Sequence, residues 1–357
     1  MRLPRKILIA YVQFPPIAFE LKEAFEKMGI EVRLFLSSDI PVSYFHTLFC
    51  KRLTRLAWNL RLLERGKVMF PNHPKRWENI AAEALFQNYE EFKPDLLLFL
   101  HDPSYGGYGR KILEKITVPK IGWYVEPYAD LTRLMESSRF FDLYNSFHLK
   151  ALDQLSTKQV KTGYLCHAVN PKRFHPLANS QPVYDVCFVG NFSPWRDEVL
   201  KAALGVTNNI ALYGPGWLKK GRSRIDSGNL AAIHKGARIV GEELNSLFNL
   251  SKVILSATRI HNSSGLNMRF FEVLAAGGCF LTDSPPELER HFIRDKHLVT
   301  FDNLEELTLK LKKLLDDSAL RRDIAQAGYE QAMAHHTYEH LAKKILSQYD
   351  MLTAKPS

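Results

Sequence analysis

Residues 263–278 read Ser-Ser-Gly-Leu-Asn-Met-Arg-Phe-Phe-Glu-Val-Leu-Ala-Ala-Gly-Gly and carry the clearest structural signal in the chain. The pattern predicts a helix over 266–276, preceded by Gly265 and ended by Gly277-Gly278. Apolar runs at 253–256 and 279–283 flank this helix and predict two buried strands. A strand, a helix and a second apolar strand in this order predict a parallel sheet that is covered on both faces.

The same alternation extends along the chain in both directions. Further apolar runs with helical segments between them predict strands at 6–12, 31–36, 96–100, 120–125, 141–147 and 162–168, and at 185–190, 210–214, 237–240 and 297–301. We therefore expect an α/β fold with two doubly wound, Rossmann-like β/α/β domains. The residues from 318 onward predict helices without a strand, which form a helical C-terminal tail.

A proline-rich stretch separates the two halves. Residues 171–183 contain three prolines and little apolar periodicity, which is typical of a linker. The predicted organisation is a first domain over 1–170, a second domain over 184–335, and a C-terminal helix over 336–357 that packs back toward the first domain. Two such domains are expected to face each other across a cleft at the carboxyl ends of their strands.

Composition excludes several classes of protein. The chain has 357 residues, of which 46% are hydrophobic and 24% charged, so it is neither low-complexity nor collagen-like. The longest apolar runs, such as 96–100, are far shorter than the roughly 20 residues of a membrane-spanning helix. The apolar start at 7–12 is too short for a signal peptide. Four widely spaced cysteines predict a cytoplasmic protein without a zinc site or disulfide framework.

The net charge of +10 is concentrated near the N-terminus, where residues 1–76 carry an excess of eight positive charges. Such an excess is compatible with nucleic acid, anionic lipid or a polyanionic substrate, and equally with a solvated basic face. Phe49, Leu53, Leu56, Leu60 and Leu63 recur at helical spacing among Lys and Arg residues within 46–67. This pattern predicts a basic amphipathic helix that either contacts an anionic membrane or packs on the sheet.

Several catalytic motifs are missing from the sequence. No P-loop, no Gly-x-Gly-x-x-Gly after the first strand and no Gly-x-Ser-x-Gly are present. P-loop ATPases, classical NAD- or FAD-binding domains and α/β-hydrolases are therefore disfavoured. His335, His336 and His340 offer a pair at helical spacing without a third ligand, and we interpret them as an exposed polar patch. No metal site is expected.

The helix after Gly265 has the features of a site for a nucleoside diphosphate. Backbone N–H groups at a helix N-terminus bind phosphate, and Arg269 adds a cation close to them. Glu272 follows Arg269 by three residues on the same face, where a carboxylate can accept hydrogen bonds from ribose hydroxyls. The alternative interpretation is a buried helix with an Arg–Glu ion pair.

Two more predicted strand ends carry glycines. The stretch Gly190-Asn191-Phe192-Ser193-Pro194-Trp195-Arg196 follows a strand and opens a helix, so Gly190 permits close backbone approach and Arg196 can reach an anion. The loop Tyr213-Gly214-Pro215-Gly216-Trp217 ends the next strand. Each loop alone is a common turn, but together they favour a ligand site at one edge of the second sheet.

These residues resemble the nucleotide-binding domain of GT-B glycosyltransferases and, more narrowly, the spore-maturation CgeB-like glycosyltransferases. The resemblance spans about residues 90–345 and is specific in the second half. It is carried by the two loops above, the Val240-Gly241 turn, Asn267-x-Arg269-x-Phe271-Glu272 with Ala276-Gly277, and the approach over 164–176. It implies a metal-independent hexosyltransferase with a nucleotide-diphosphate sugar as co-substrate and no other cofactor.

The resemblance also implies roles for individual residues. Glu272 matches the glutamate that binds the donor ribose, and the backbone near Ile239 and Val240 would meet the base. The residues expected around the donor are Gly190, Asn191, Arg196, Gly214, Gly216, Ile239, Val240, Gly265, Leu266, Asn267, Met268, Arg269 and Glu272. Retaining GT-B enzymes often carry a second glutamate eight residues before the first, where this chain has Ser264. The anomeric outcome is therefore left open.

The acceptor hydroxyl needs a general base, which we expect at strand ends of the first domain. His101 and Asp102 follow the predicted strand 96–100, and Glu126 follows 120–125. We interpret His101 or Asp102 as the base and Glu126 as the residue that orients the acceptor. The alternative is that each is an ordinary polar loop residue or helix cap.

The sequence as a whole predicts a cytoplasmic glycosyltransferase that modifies a surface glycan, glycoprotein or lipid-linked acceptor. If the basic helix binds lipid, the protein is also peripheral at the inner membrane face. Two alternatives are a sugar-nucleotide epimerase and a non-catalytic sugar- or polyanion-binding protein of the same fold. Nucleic acid is the least favoured partner because no recognised binding module is present.

Overall fold

The computed structural model of the chain describes residues 3–11, 16–64, 67–70, 73–100, 107–125, 135, 138–157, 160–219, 221–258 and 265–354. The chain divides into two compact units. The first comprises Met1–Leu165 with Ala342–Ser357, and the second comprises Cys166–Leu341. Among the described residues each unit contains a parallel sheet of six strands, and the predicted apolar runs overlap eleven of these twelve strands. No helix among the described residues has both the length and the apolar character needed to cross a membrane.

The sheet of the first unit has the order β2-β1-β3-β4-β5-β6. Its strands are β1 (Lys6–Tyr11), β2 (Glu31–Leu36), β3 (Leu96–Leu100), β4 (Lys120–Tyr124), β5 (Leu143–Ser146) and β6 (Thr162–Tyr164). The helices between them are α1 (Pro16–Lys27), α2 (Thr54–Asn59), α3 (Trp77–Phe92), α4 (Gly107–Lys115) and α5 (Leu149–Ser156). Every residue of β3 is buried, which explains its uninterrupted apolar sequence.

The sheet of the second unit has the order β12-β11-β10-β7-β8-β9. Its strands are β7 (Tyr184–Val189), β8 (Ile210–Tyr213), β9 (His234–Gly236), β10 (Ser251–Ser256), β11 (Phe280–Asp283) and β12 (Val299–Phe301). The helices are α6 (Pro194–Leu204), α7 (Ser227–Ile233), α8 (Gly241–Asn249), α9 (Met268–Ala275), α10 (Leu304–Asp316), α11 (Ser318–His335) and α12 (Tyr338–Thr353). β7 and β10 are parallel neighbours, so their carboxyl ends lie at the same edge.

Two predicted elements of the second unit are displaced in the structure. The strand predicted over 237–240 is wrong: β9 lies at His234–Gly236, and Val240 is exposed at the start of α8. The helix predicted from residue 266 begins at Met268, because the side chain of Asn267 caps it by accepting a hydrogen bond from the Arg269 N–H.

Residues 166–183 group with the second unit, although 171–183 has the composition of a linker. The Phe174 ring packs near that of Phe248 at 6.3 Å between centroids. The side chains of two asparagines of α8 accept hydrogen bonds from backbone N–H groups. Asn245 accepts from His175 at 3.1 Å, and Asn249 accepts from Leu177 at 2.7 Å. These contacts tie the proline-rich segment to α8.

The last helix begins in the second unit and ends in the first, with which Ala342–Ser357 group. Within the first unit, the Gln348 side chain exchanges two hydrogen bonds with the buried Asn145 of β5, at 2.8 and 3.0 Å. Ile345 and Leu346 on the same helix are buried. This end of the chain is therefore part of the packed first unit.

The helix predicted over 46–67 is shorter in the structure, and a different set of its side chains is buried. A π-helical segment, His46–Leu53, continues into α2, which ends before Leu60. The buried side chains of this region are His46, Cys50 and Thr54. The predicted apolar stripe lies toward solvent instead, with Leu56 at 51% and Leu60 at 58% exposure. A helix packed on the sheet through its apolar stripe is thus not what the structure shows.

Candidate functional site

A cavity of about 300 Å³ opens in the second unit where β7 and β10 end. We call it the strand-end cavity. It is lined by Val189, Gly190, Asn191, Arg196, Ser256, Asn267, Met268, Arg269 and Glu272. Seven of the thirteen residues predicted around a donor therefore line one cavity. Its position at the carboxyl edge of a parallel sheet is the usual place for ligands in such folds.

The N-terminus of α9 forms one wall of the strand-end cavity. Asn267 caps the helix through its side chain, and both Asn267 and Met268 line the cavity. Ahead of the cap, Gly265 has a positive φ of 84° and donates its N–H to the buried carboxylate of Glu287 at 2.5 Å. This contact fixes the approach to the helix, whose partial positive end then faces the cavity.

Arg269 and Glu272 form an ion pair inside the cavity. The Arg269 Nη1 donates to the Glu272 Oε2 at 2.8 Å, and their side chains are 22% and 18% exposed. The Arg269 guanidinium also lies over the Phe248 ring, 5.3 Å from its centroid. The ion pair of the alternative interpretation is therefore present. The same two residues line the cavity, as the interpretation of a nucleoside-diphosphate site requires. Both side chains are positioned and partly open to a ligand.

Arg196 supplies a second guanidinium to the lining of the cavity. The Ser193 hydroxyl caps α6 by accepting the Arg196 N–H, and the Arg196 side chain donates to the backbone oxygens of Ala257 and Asn191, each at 2.9 Å. Burial lowers the pKa of Arg196, while the nearby Asp283 carboxylate raises it and Arg269 lowers it further. Two guanidinium groups therefore line the cavity together with the Glu272 carboxylate.

The predicted glycines let two strand ends approach closely. A Cβ on Gly214 would lie 1.9 Å from the Gly190 carbonyl oxygen, and Gly214 has a φ of 148°. The Trp217 indole N–H donates to the same Gly190 oxygen at 2.8 Å. Gly190 lines the cavity, whereas Gly214 and Gly216 lie outside its lining and shape the loop behind it.

The remaining predicted residues are not brought into the cavity. Leu266 is fully buried beneath the start of α9, and Gly265 lies beside it. Ile239 and Val240 precede α8 and are outside the lining residues, with Val240 exposed. The predicted acceptor residues His101, Asp102 and Glu126, and also Ser264, lie outside the described residues.

Sequence reasoning missed three polar residues around the site. Ser256 ends β10 and lines the cavity. The buried Asp283 accepts hydrogen bonds from the Thr258 N–H and hydroxyl, both at 2.7 Å, and from the Trp195 indole at 3.1 Å. Buried Glu287 accepts from Gly265, as described above. The only sequence feature that could have indicated these three residues is their position at or after the end of a predicted strand.

The arrangement suits a ligand with an anionic part and a hydroxyl-bearing part. Two guanidinium groups and a helix N-terminus attract phosphate oxygens, and Arg can bind them in a bidentate manner. A carboxylate three residues into the same helix can accept hydrogen bonds from neighbouring hydroxyls.

Known proteins resemble the second unit in sequence and the chain in fold. Residues 194–347 match the family described as "Glycosyl transferase-like". Sucrose-phosphate synthase from Thermosynechococcus elongatus superposes with a TM-score of 0.69 at 17% identity, over 97% of this chain and 98% of that one. The chain has the GT-B fold. A glycosyltransferase from Rickettsia africae gives a TM-score of 0.67 at 12% identity, over 98% of this chain and 99% of that one.

A further structure with the GT-B fold was solved with ligands. HepE from Anabaena, in complex with UDP and glucose, superposes with a TM-score of 0.61 at 11% identity, over 97% of this chain and 100% of that one. No curated protein sequence matches the chain significantly. At these identities the structural similarity establishes the fold alone, and the narrower resemblance to CgeB-like enzymes stays a prediction.

Proposed function

We propose that the protein is a cytoplasmic glycosyltransferase that binds a nucleotide-diphosphate sugar in its second unit. It transfers the hexosyl group to an acceptor hydroxyl in a surface glycan, a glycoprotein or a lipid-linked acceptor. The observation that carries the proposal is the strand-end cavity, which joins Arg196, Arg269 and the N-terminus of α9 with Glu272. The family match over 194–347 supports the same class of enzyme.

The donor roles follow from the chemistry of the cavity. Arg196, Arg269 and the start of α9 hold the diphosphate and stabilise the negative charge that develops on the leaving group. These groups perform this role without a metal ion. Glu272 accepts hydrogen bonds from the ribose hydroxyls. The base contact rests instead on the resemblance to GT-B glycosyltransferases, which assigns it to the backbone near Ile239 and Val240, outside the lining of the cavity.

The acceptor roles rest on the first sheet. β3 and β4 are parallel neighbours, with Leu100 opposite Trp123, so both strands end at one edge. His101 or Asp102 acts as the base that deprotonates the acceptor, and Glu126 orients it. Full transfer rates in both His101→Ala and Glu126→Ala would contradict this assignment.

The first experiment measures thermal stability of the protein against UDP, GDP, ADP, CDP and dTDP, with NAD as a control. A ligand at about 100 times its Kd stabilises the folded state by roughly 2.7 kcal/mol, which raises Tm by a few degrees. We expect one diphosphate to raise Tm equally in the wild type and in Glu305→Ala, a variant of an exposed glutamate of α10, and to give about half that shift or less in Glu272→Ala at the same ligand concentration. No shift with any nucleotide would favour the non-catalytic sugar- or polyanion-binding alternative.

The second experiment separates a transferase from an epimerase. The sugar nucleotide that corresponds to the bound diphosphate is incubated with and without candidate acceptors, and free diphosphate is measured. A transferase releases diphosphate in proportion to the glycosylated acceptor. An epimerase that hydrolyses its substrate would release diphosphate without a separate acceptor, because the sugar is transferred to water.

The basic segment over 46–67 favours an additional contact with an anionic membrane. Leu56 and Leu60 are exposed, and the neighbouring Lys51, Arg52 and Arg55 are exposed with them. Exposed apolar and basic side chains on one short helical region match the two requirements of interfacial lipid binding. Such binding would place the enzyme at the inner membrane face, close to a lipid-linked acceptor.

Liposome flotation tests this contact. We expect the wild type to float with vesicles that contain anionic phospholipid and to stay at the bottom with neutral vesicles. The double variant Leu56→Ser/Leu60→Ser should lose flotation. Equal absence of binding to both vesicle types would end the membrane proposal without affecting the donor site.

A further inference from the structure

Three side chains that bind transition metals converge in the second unit, away from the residues that line the strand-end cavity. The ligand atoms of Cys166, His291 and His336 all lie within 4.8 Å of one another. Cys166 follows β6, His291 follows the short 3₁₀ turn Leu288–Arg290, and His336 directly follows α11. Three segments that are distant in sequence therefore present one thiol and two imidazoles to a common point.

The spacing of these atoms suits tetrahedral zinc. Zn²⁺ binds Cys sulfur at about 2.3 Å and His nitrogen at about 2.0–2.1 Å. In a tetrahedron these bond lengths separate neighbouring ligand atoms by about 3.3–3.6 Å. Atoms that already lie within 4.8 Å of one another need only small side-chain rotations to reach that spacing.

The backbone holds the three ligands in place. The His336 carbonyl accepts the Val169 N–H at 2.9 Å, which ties the end of α11 to the segment that carries Cys166. The His291 carbonyl accepts a hydrogen bond from the Gln331 side chain of α11, also at 2.9 Å. Ligands that are fixed before the ion arrives lose little conformational entropy when it binds.

The surroundings are largely apolar. The His336 ring lies near Phe271 and Phe292, with centroids 5.2 and 5.1 Å away. Cys166 and His336 are buried, whereas His291 is half-buried. An apolar environment lowers the local dielectric constant and so strengthens the attraction between the cation and a thiolate.

We propose that Cys166, His291 and His336 bind a Zn²⁺ ion within the second unit, with a water molecule in the fourth position. Binding replaces the thiol proton of Cys166, which leaves to solvent, and both imidazoles bind as neutral rings. The ion ties the start of this unit to the end of α11. It is separate from diphosphate binding, because no member of the cluster lines the strand-end cavity.

The cluster was not foreseen from the sequence. The sequence predicts that His336 belongs to an exposed polar patch, and this prediction is wrong because the side chain is 4% exposed. Its helical spacing predicts His340 as the partner of His336 instead of Cys166 and His291. The actual neighbours come from other segments, and no spacing rule connects them.

The test uses the reduced, chelator-treated full chain. Zn²⁺ affinity is measured by competition with a chromophoric chelator, and Co²⁺ is then used as a spectroscopic probe. We expect one tight Zn²⁺ site per chain. Co²⁺ should give the intense visible bands of tetrahedral coordination together with a thiolate-to-cobalt charge-transfer band.

Matched variants assign the ligands. Cys166→Ser and His336→Gln should weaken Zn²⁺ binding by more than about 100-fold, since loss of an outer partner alone costs 10–100-fold. Cys279→Ser, at another buried cysteine, and His335→Gln, at the adjacent exposed histidine, should bind as the wild type does. Wild-type affinity in Cys166→Ser overturns the proposal. If the variants fail to fold, a wild-type Co²⁺ spectrum without the thiolate band overturns it alone.

Discussion

The proposed contact between Glu272 and the donor ribose can be tested by changing both partners. Glu272 is replaced by alanine, and the nucleotide is replaced by its 2′-deoxy form. In the structure the carboxylate accepts one hydrogen bond from Arg269 and remains 18% exposed in the strand-end cavity. A ribose hydroxyl that donates to this carboxylate forms a charge-assisted bond, and the 2′-deoxy nucleotide cannot form it.

The size of the effect follows from the bond and its exposure. Hydrogen bonds to charged groups contribute about 1.5–3 kcal/mol. Because the carboxylate is partly open to water, we take the lower half of that range, about 1.5–2 kcal/mol. With tenfold in Kd for every 1.4 kcal/mol, the wild type should bind the ribonucleotide about 10- to 30-fold more tightly than the deoxy form.

Isothermal titration calorimetry with the diphosphate selected by the Tm panel measures this ratio. In Glu272→Ala the ratio should fall close to one. In Glu272→Gln it should be intermediate, since the amide keeps an acceptor oxygen without its charge. Glu305→Ala removes an exposed carboxylate from the first turn of α10 and should keep the wild-type ratio.

Two results would refute the assignment of Glu272. The first is a wild type that binds both nucleotides equally. The second is a Glu272→Ala variant that retains the full preference for the ribonucleotide. Because the measured quantity is a ratio within each variant, a general loss of stability or affinity cancels from it.

Two further predictions concern stability. Gly214→Ala places a methyl group 1.9 Å from the Gly190 oxygen at a φ of 148°, so it should lower the unfolding free energy by about 3 kcal/mol or more. Gly221→Ala, where φ is 74° and no atom lies within 4 Å of the added methyl group, should lower it by about 1 kcal/mol. Equal losses of unfolding free energy in urea denaturation would contradict this. Burial lowers the pKa of His46, whose Nδ1 accepts the Trp77 N–H at 3.0 Å. The folded state therefore favours the neutral ring, and the exchange protection of the Trp77 amide should be full above about pH 6.5 and lost as the pH falls through the lowered pKa. Hydrogen exchange in which this protection is already lost at pH 6.5 or above would contradict this.

The sheets could be predicted because their signal is local. A strand such as β3 is buried along its whole length, so five consecutive apolar residues mark it without any knowledge of its neighbours. β9 carries no such mark: His234, Lys235 and Gly236 are not an apolar run, and their pairing with β8 depends on tertiary context. The predicted strand therefore fell on the adjacent, exposed residues.

The same distinction separates the predicted from the missed parts of the site. Arg269 and Glu272 lie one helical turn apart, so their proximity follows from helix geometry. Asp283 and Glu287 act on residues 25 and 22 positions away, at Thr258 and Gly265, and only the folded sheet brings them together. Carboxylates after apolar strands are common, and the sequence offers no means to select these two.

The ion pair between Arg269 and Glu272 links the two halves of the proposed ligand. Arg269 is held by Glu272 on one side and lies over the Phe248 ring on the other, so its guanidinium is oriented before any phosphate arrives. A phosphate that binds Arg269 shares this cation with Glu272. The hydrogen bond from Arg269 to the carboxylate is then weaker, and the ribose hydroxyls donate to the carboxylate as well. Phosphate and ribose recognition should therefore reinforce each other, which favours a complete nucleoside diphosphate over either a nucleoside or inorganic phosphate alone.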